Sequence, residues 1–406
     1  MPNTNLTVDW IGNEALRLAH EKLSFIGTIN REFDSSFKPG YGNTIRIRVP
    51  SQYTVTTGRV IDVQDGVQQS TSITVATQRH VAMRYNSQEY SQDLVNFQKL
   101  HLEPAMAILA SDVENTVLGG CTQRTYNIVA TSTATAQMTD LSIPGRARAR
   151  LNQYLAPKSN RAFQLESVQM GNLVNGVAAY FNPSNAISEQ YREGLVARTS
   201  MADYYETERV LSLNYTPNDT LSRMSSYVIA DGQVSCLISS NAGVPNVGTS
   251  FTINGVFAVH PETKAAYSHL QNFVTEAGST ATTLIFQPAI RLSGARKNVA
   301  RSDGTDITAT NQTLISTGLV TFSGVSTSTY QIGLMYHRDA FTFATAALPI
   351  MDDAIRCVVK TYDGISLRVW EASDIRNDEK LTRIDILFGF AAIRPQWAVK
   401  VQSTGV

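Results

Sequence analysis

Three cysteines, six histidines and one short arginine run are the residues of this 406-residue chain best able to do chemistry. Cys121, Cys236 and Cys357 are odd in number, far apart and in no CxxC spacing. That pattern argues against a disulfide framework or a zinc knuckle and implies a reducing compartment. Cys121 beside Gly120 could act as a nucleophile with a distant histidine, yet a lone cysteine at a helix end reads better as a small buried apolar residue. His20, His80, His101, His260, His269 and His337 show no paired spacing of the kind a metal requires. RSDGTDIT, from Arg301, resembles a fragment of a calcium loop without its remaining ligands and reads as a turn. No GxGxxG follows a strand, and Walker, HExxH, GxSxG and EF-hand spacings are missing. No catalytic, cofactor or metal residue is assigned, and the chain is read as a non-enzyme.

The arginine run is Arg146, Arg148 and Arg150. Arginines two apart do not share a helical face, so they fan around the helix, which suits salt bridges or intersubunit charge better than a phosphate track. Contact with DNA is the second reading of this patch. Acidic and basic residues balance at 34 each, so no global field draws the chain to nucleic acid or an anionic membrane. The charged fraction is only 17%, below the usual ~25%, and the polar uncharged surface this leaves suits a protein buried in partners. The longest apolar run, Ile386 to Ile393, is too short to span a bilayer.

The element that must hold everything else is a helix from about Glu103 to Leu118. Leu102, Met106, Leu109, Val113 and Val117 recur at helical spacing, Pro104 fits the first turn, and Gly119-Gly120 supplies a stop. Ahead of it, Val8 to Ile26 reads as an amphipathic arm capped by Thr7 or Asp9. With only Arg17 and Lys22 as basic residues, the arm is expected to pack on protein rather than on a membrane. Ile45, Ile47 and Val49 alternate with Arg46 and Arg48, and the answering strand holds Ile73, Val75, Val81 and Met83. Gly42 to Tyr85 is therefore a long two-stranded excursion that needs something to lie against.

Beyond the central helix, Tyr126 to Met138 reads as extended, and helices are expected from Pro144, over Ser167 to Tyr180 and over Ser184 to Leu195. From about Leu211 short strands take over, with turn signals at Asp231-Gly232, Gly243, Asn254-Gly255, Gly278 and Asp303-Gly304. FTINGVFAV, Phe251 to Val259, reads as a hairpin turning at Asn254-Gly255. Such strands suggest an inserted β-barrel or sandwich over about Ser212 to Gly318. Helical texture returns over Asp339 to Ala347. Strands then close the chain at Ala354 to Tyr362, Ile365 to Ala372 and Thr382 to Ile393.

This order of parts resembles the major capsid protein of tailed double-stranded-DNA bacteriophages, in the short-tailed (podovirus) branch whose coat protein carries an inserted β-barrel domain. The resemblance rests on GYGNTIRIRVP at Gly40 to Pro50, LEPAMAILASDVE at Leu102 to Glu114 and AAYFNPSNAISEQYREGLV at Ala178 to Val196. It implies an α+β fold of the tailed-phage (Hong Kong phage) type. The parts would be an N-terminal arm (1–41), an extended loop (42–85), a peripheral domain with the spine helix (86–139) and an axial domain (140–211 and 319–363). An inserted domain (212–318) and closing peripheral strands (364–406) complete them.

The resemblance further implies that the chain's partner is itself, as pentamers and hexamers of an icosahedral shell around non-specifically packaged double-stranded DNA. A scaffolding protein would assist assembly and a portal protein would occupy one vertex. Assembly would take place in the host bacterial cytoplasm and leave the chain in the virion capsid, with no membrane and no cofactor involved. Intersubunit contacts are expected at Trp10, Arg17, Ile45, Arg46, Arg48, Arg59, Asp62 and Arg79, and Arg146, Arg148 and Arg150 are candidates for a DNA-facing or interior surface. Because only a short stretch precedes the arm, a separate scaffolding protein is expected. Because no lysine occurs between Lys38 and Lys99, the shell is expected to be non-covalent. Two alternatives remain: a tail, decoration or carbohydrate-binding β-protein, and a hydrolase with a lid.

Overall fold

The computed structural model describes residues 8–33, 37, 42–61, 63–64, 66, 68–86, 101–130, 138, 141–177, 202–214, 221–224, 229–238, 244–308, 319–324, 328–351, 355–362 and 364–404. The fold is α+β. Its helices are α1 (Val8–Lys22), α2 (Ser24–Thr28), α3 (Glu103–Arg124), α4 (Ser142–Gln153) and α5 (Ser167–Val177). The first strands are β1 (Thr44–Val49), β2 (Gln69–Thr74), β3 (Thr77–Asn86), β4 (Ile128–Ala130), β5 (Arg161–Leu165), β6 (Asp203–Glu206) and β7 (Leu211–Asn214). Then come β8 (Leu221–Arg223), β9 (Ser235–Leu237), β10 (Ser250–Val259), β11 (Ala266–Thr275), β12 (Thr283–Gln287), β13 (Val299–Ala300) and β14 (Leu319–Phe322). The last are β15 (Thr329–His337), β16 (Phe341–Thr345), β17 (Arg356–Tyr362), β18 (Ile365–Asp374), β19 (Glu379–Ala392) and β20 (Ala398–Thr404). Two compact units result, one from Met1–Arg48, Ser70–Leu118 and Phe341–Ile393, the other from Val49–Gln69, Gly119–Ala340 and Arg394–Val406.

In the first unit, β19 is the hub of a five-stranded sheet ordered β16-β19-β18-β17, with β3 also paired to β19. The apolar line expected on α3 is buried at Leu102, Met106, Leu109, Val113 and Val117, whereas Ile108 on the other side is exposed. The helix does not stop at Gly119-Gly120 but runs to Arg124. A glycine costs about 1 kcal/mol in a helix, and the next turn recovers it by burying Cys121 and Thr122 completely. The arm is broken at Leu23 into α1 and α2. Buried Glu114 of α3 accepts hydrogen bonds from the Phe25 amide and, at 2.9 Å, from Ser24 Oγ, so its carboxylate caps the start of α2. The arm then ends as a bridge of Asn30 to Thr342 at the edge of β16.

Three strand expectations need correction here. The expected answering strand is split: β2 pairs with β1, while β3 leaves to join the five-stranded sheet. The excursion's base also rests on its own chain, since Ile47, Ile73 and Val75 pack with Ala344 and Ala391. Gly389 permits this approach, because a Cβ there would fall on the Thr74 carbonyl oxygen and 2.8 Å from Val75 Cα. Asp339 to Ala347 is not helical. After one 3₁₀ turn it becomes β16, whose five residues FTFAT are all buried, as β-branched and aromatic side chains in a covered strand should be.

In the second unit, a six-stranded sheet runs β4-β20-β15-β5-β6 with β7 also on β15. β20, grouped by the sequence reading with the closing strands of 364–406, belongs to this sheet rather than to the one holding β17, β18 and β19. Val399 and Val401 point into a core with Val129, Leu151, Phe163, Leu165 and Met335. A seven-stranded antiparallel sheet, β8-β14-β10-β11-β12-β9 with β13 on β10, follows from residues 221–322, and a bridge from Met224 to Ile238 brings its two ends together. Phe251, Phe273, Phe286 and Phe322 form its aromatic centre, with ring centroids 5.1–5.8 Å apart.

Phe251 to Val259 is one long strand rather than a hairpin. Between Thr252 and Phe257, five residue steps of β10 run against two of β11, and Gly255 at φ +83° takes up the excess as a bulge. The expected helix over Ser184 to Leu195 and the cap at Thr7 lie outside the described residues.

Candidate intersubunit surface

The arm, the excursion and α3 place the side chains expected to meet another copy. On β1, Arg46 and Arg48 are exposed, Ile47 is buried and Ile45 is half-buried against the cluster at the excursion's base. Alternation therefore leaves the arginines exposed and commits the isoleucines to this chain. Arg59 is exposed and Asp62 lies outside the described residues. Arg79 of β3 pairs with Asp112 of α3 at 2.8 Å and ties strand to helix within the chain. Arg17 pairs with Glu14 one turn back at 2.6 Å, an exposed contact worth a few tenths of a kcal/mol (~0.3). Trp10 lies in α1, and its side chain is outside the description.

The distal part of the excursion, residues 50–68, carries what charge-based reading missed. Val55, Val60, Ile61 and Val63 are 83% to 97% exposed, and Tyr53 is 62% exposed. The Gln64 side-chain amide braces the two limbs, accepting from the Thr54 amide at 2.8 Å and donating to the Thr54 carbonyl at 2.6 Å. This bracing is what a turn without a strand ladder needs to present a fixed surface. The signal was present in the sequence as RVIDV, an apolar cluster beside a glycine in a stretch that lacks strict alternation. Grouped exposed apolar residues of this size mark interaction sites.

The two buried thiols, Cys121 and Cys236, are not poised for chemistry. Burial pushes Cys121 well up and Cys236 up to about 12, so both stay protonated and unreactive. His269 is pushed down to about 4, first by burial and then by Arg150, and His337 is lowered first by burial. No group of three or more His, Cys, Asp or Glu that could hold a metal occurs among the described residues. The Asp303-Gly304 segment is a turn in which Thr305 donates to Asp303 from both amide and hydroxyl. Among the described residues no helix is long and apolar enough to cross a membrane.

The arginine run occupies α4 as a fan. Arg146 is exposed, while Arg150 is half-buried beside Tyr154 and Tyr267, and Arg148 lies on the other side near Arg161. Arg146 and Arg150, four apart, do share a face, and Arg150 is lowered first by burial, with Arg146 adding to it.

A family model described as the P22 coat protein, gene protein 5, matches residues 226–405, somewhat less than half of the chain. No curated protein matches. Among solved structures, one described as the acidic stable capsid of Helicobacter pylori bacteriophage KHP30 is 10% identical, with 94% of this chain and 91% of that chain covered and a TM-score of 0.47. The capsid of Ralstonia phage GP4 is 7% identical, with 93% and 87% covered and a TM-score of 0.47. A chain of Mycobacterium phage Che8 is 10% identical, with 93% and 90% covered and a TM-score of 0.46.

Proposed function

We propose that this chain is the major coat subunit of a tailed-phage capsid, which assembles as pentamers and hexamers into an icosahedral shell around double-stranded DNA. The match of residues 226–405 to a coat-protein family model carries the reading. The exposed apolar tip of the excursion is its physical counterpart. Burying Val55, Val60, Ile61 and Val63 against a neighbour would contribute roughly 1.5–3 kcal/mol each before ordering costs, a contact small enough to vary between quasi-equivalent positions and repeated over the whole shell.

Within this proposal the parts take the roles the sequence suggested. Residues 1–41 are the arm, 42–85 the extended loop and 103–124 the spine helix. The sheet of residues 221–322, rather than the 212–318 the sequence suggests, is the inserted β-barrel, a reading supported by the Met224–Ile238 bridge and by β7 pairing with β15 outside it. Scaffolding and portal proteins are the expected assembly partners, the shell is non-covalent, and assembly takes place in the host bacterial cytoplasm. Arg59, exposed within the tip, and the exposed Arg46 and Arg48 of β1 are further contacts to the neighbour.

The test is electron microscopy of the sedimentable fraction from cells expressing the chain alone and with a scaffolding protein, beside a Val60→Asp, Ile61→Asp variant. Closed shells or curved sheets are expected for the unaltered chain, and soluble subunits with unchanged circular dichroism for the variant. A clean monomer even with scaffold would overturn the function, and shells formed by the variant would remove the tip from assembly.

A further inference from the structure

The six-stranded and seven-stranded sheets of the second unit meet at a polar seam. In β20, Val399 and Val401 enter the apolar core, so Lys400 and Gln402 point to the opposite face. From there Lys400 Nζ donates to the Gly248 carbonyl at 2.6 Å and Gln402 Nε2 donates to the Ser323 carbonyl at 3.0 Å. Those two carbonyls flank the root of the seven-stranded sheet. Gly248 stands just before β10 and Ser323 just after β14, and the root is pinned by Gly248 N to Thr275 O at 3.0 Å and Ser323 N to Ser250 O at 2.9 Å.

Lys400 is completely buried, and among the described residues no carboxylate faces it. The register sets Ile128 of β4 on one side and Leu334 of β15 on the other. At Gly248, whose φ is +90°, a Cβ would meet Gln123 of α3 at 2.9 Å, so the glycine lets the turn lie close on that helix. The nearby phenols, Tyr126 and Tyr154, pack on Val274 at the end of β11 and are held neutral, both pushed up first by burial. A buried ammonium with one carbonyl and no counter-ion is costly, whereas a neutral amine donating one hydrogen bond is not.

We propose that Lys400 is an acid-sensitive latch: as a neutral amine it seats the root of the seven-stranded sheet on β20, and its protonation loosens that root. The latch is a property of the second unit alone and does not depend on the coat-protein reading. Burial alone lowers the amine to about 7, so the seated form is comfortable at alkaline pH and is penalised as pH falls from the ordinary lysine value towards neutrality. Opening of the root rises over that window and levels off below it.

Hydrogen exchange with peptide-level mass spectrometry on the full chain tests this, with rates corrected for intrinsic pH dependence. Peptides holding the Gly248, Thr275 and Ser323 amides should open about tenfold or more often at pH 7 than at pH 9. Peptides over β5, in the same sheet but away from the seam, should not change. Lys400→Met should abolish the difference. Equal pH dependence in the root of wild type and variant, or none in wild type, would overturn the latch. Should Lys400→Met fail to fold, the wild-type contrast between root and β5 decides alone.

Discussion

Asp385 is the buried charge on which the first unit's sheet most depends. It is fully buried in β19 and accepts from Arg368 of β18 at 2.8 and 3.2 Å, from Arg383 at 2.7 Å and from Gln78 of β3 at 3.3 Å. Three strands thus converge on one carboxylate. Asp385→Ala leaves the Arg368 guanidinium, itself 4% exposed, with only the Pro349 carbonyl, and stripping one partner from such a pair costs about 3–5 kcal/mol. Urea unfolding read by Trp370 is the assay, because this ring lies 5.3 Å from the Arg368 guanidinium and 5.8 Å from that of Arg383. At a urea slope of ~2 kcal/mol per molar, the midpoint should fall by about 2 M. Arg368→Met should cost a similar amount, and Arg368→Met with Asp385→Leu should recover to within ~1 kcal/mol of wild type, since two apolar groups need no counter-charge. A drop under ~1 kcal/mol for Asp385→Ala, or additive losses in the double variant, would refute the reasoning.

Gly389→Ala should destabilise the first unit by about 3 kcal/mol or more in the same unfolding assay, because the new methyl meets backbone at Thr74 and Val75 that cannot rotate away. Glu114→Ala removes the acceptor for Ser24 and the Phe25 amide, and limited proteolysis should then cut near residues 23–28 well before the wild type is cut. Lys400 binds its proton more weakly folded, at about 7, than unfolded, at the ordinary ~10.4, so the unfolded chain holds the extra proton between those values. Stability should therefore rise with pH across that window, by at most ~1.4 kcal/mol per pH unit, with the gain complete above the upper value and lost by the lower. Lys400→Met should flatten this slope in thermal melts taken from pH 7 to 10.

The helix α3 and the closing strands were legible because their burial follows the local period: one apolar stripe on Leu102 to Val117, and buried runs in β18 and β19. The failures share a cause, since each turned on what a residue meets elsewhere in the chain. Asn254-Gly255 has the chemistry of a tight turn, yet Phe251 and Ile253 before it and Val256 after it must all reach one core, so the pair makes a bulge inside a continuous strand. Gly119-Gly120 looks like a helix stop but is carried by burial of the turn beyond it. FTFAT near Asp339 carries no local sign of its strand, because its partner β19 lies about fifty residues away. At the candidate surface, Arg46, Arg48 and Arg59 are exposed, while Arg79 and Arg17 pair with Asp112 and Glu14 within the chain. The apolar tip is hard to read locally, because an exposed valine or isoleucine has the same sequence signature as a buried one. Lys400 gives no local sign at all, since nothing in AVKVQST distinguishes a buried lysine from a solvated one.

The position of β20 also decides when this protein can fold. It lies between β4 and β15 and is paired parallel to one and antiparallel to the other, so β15 lacks one of its ladders and β4 has no neighbour to pair with until residues 398–404 have left the ribosome. Residues 221–322, whose seven strands pair among themselves, can condense earlier as a local nucleus. Synthesis therefore orders the two events, with the seven-stranded sheet waiting, already formed, for the strand that will receive its root. A chain that stops short of residue 398 lacks that strand and cannot complete the surrounding sheet, so the same register makes that sheet a check on chain integrity.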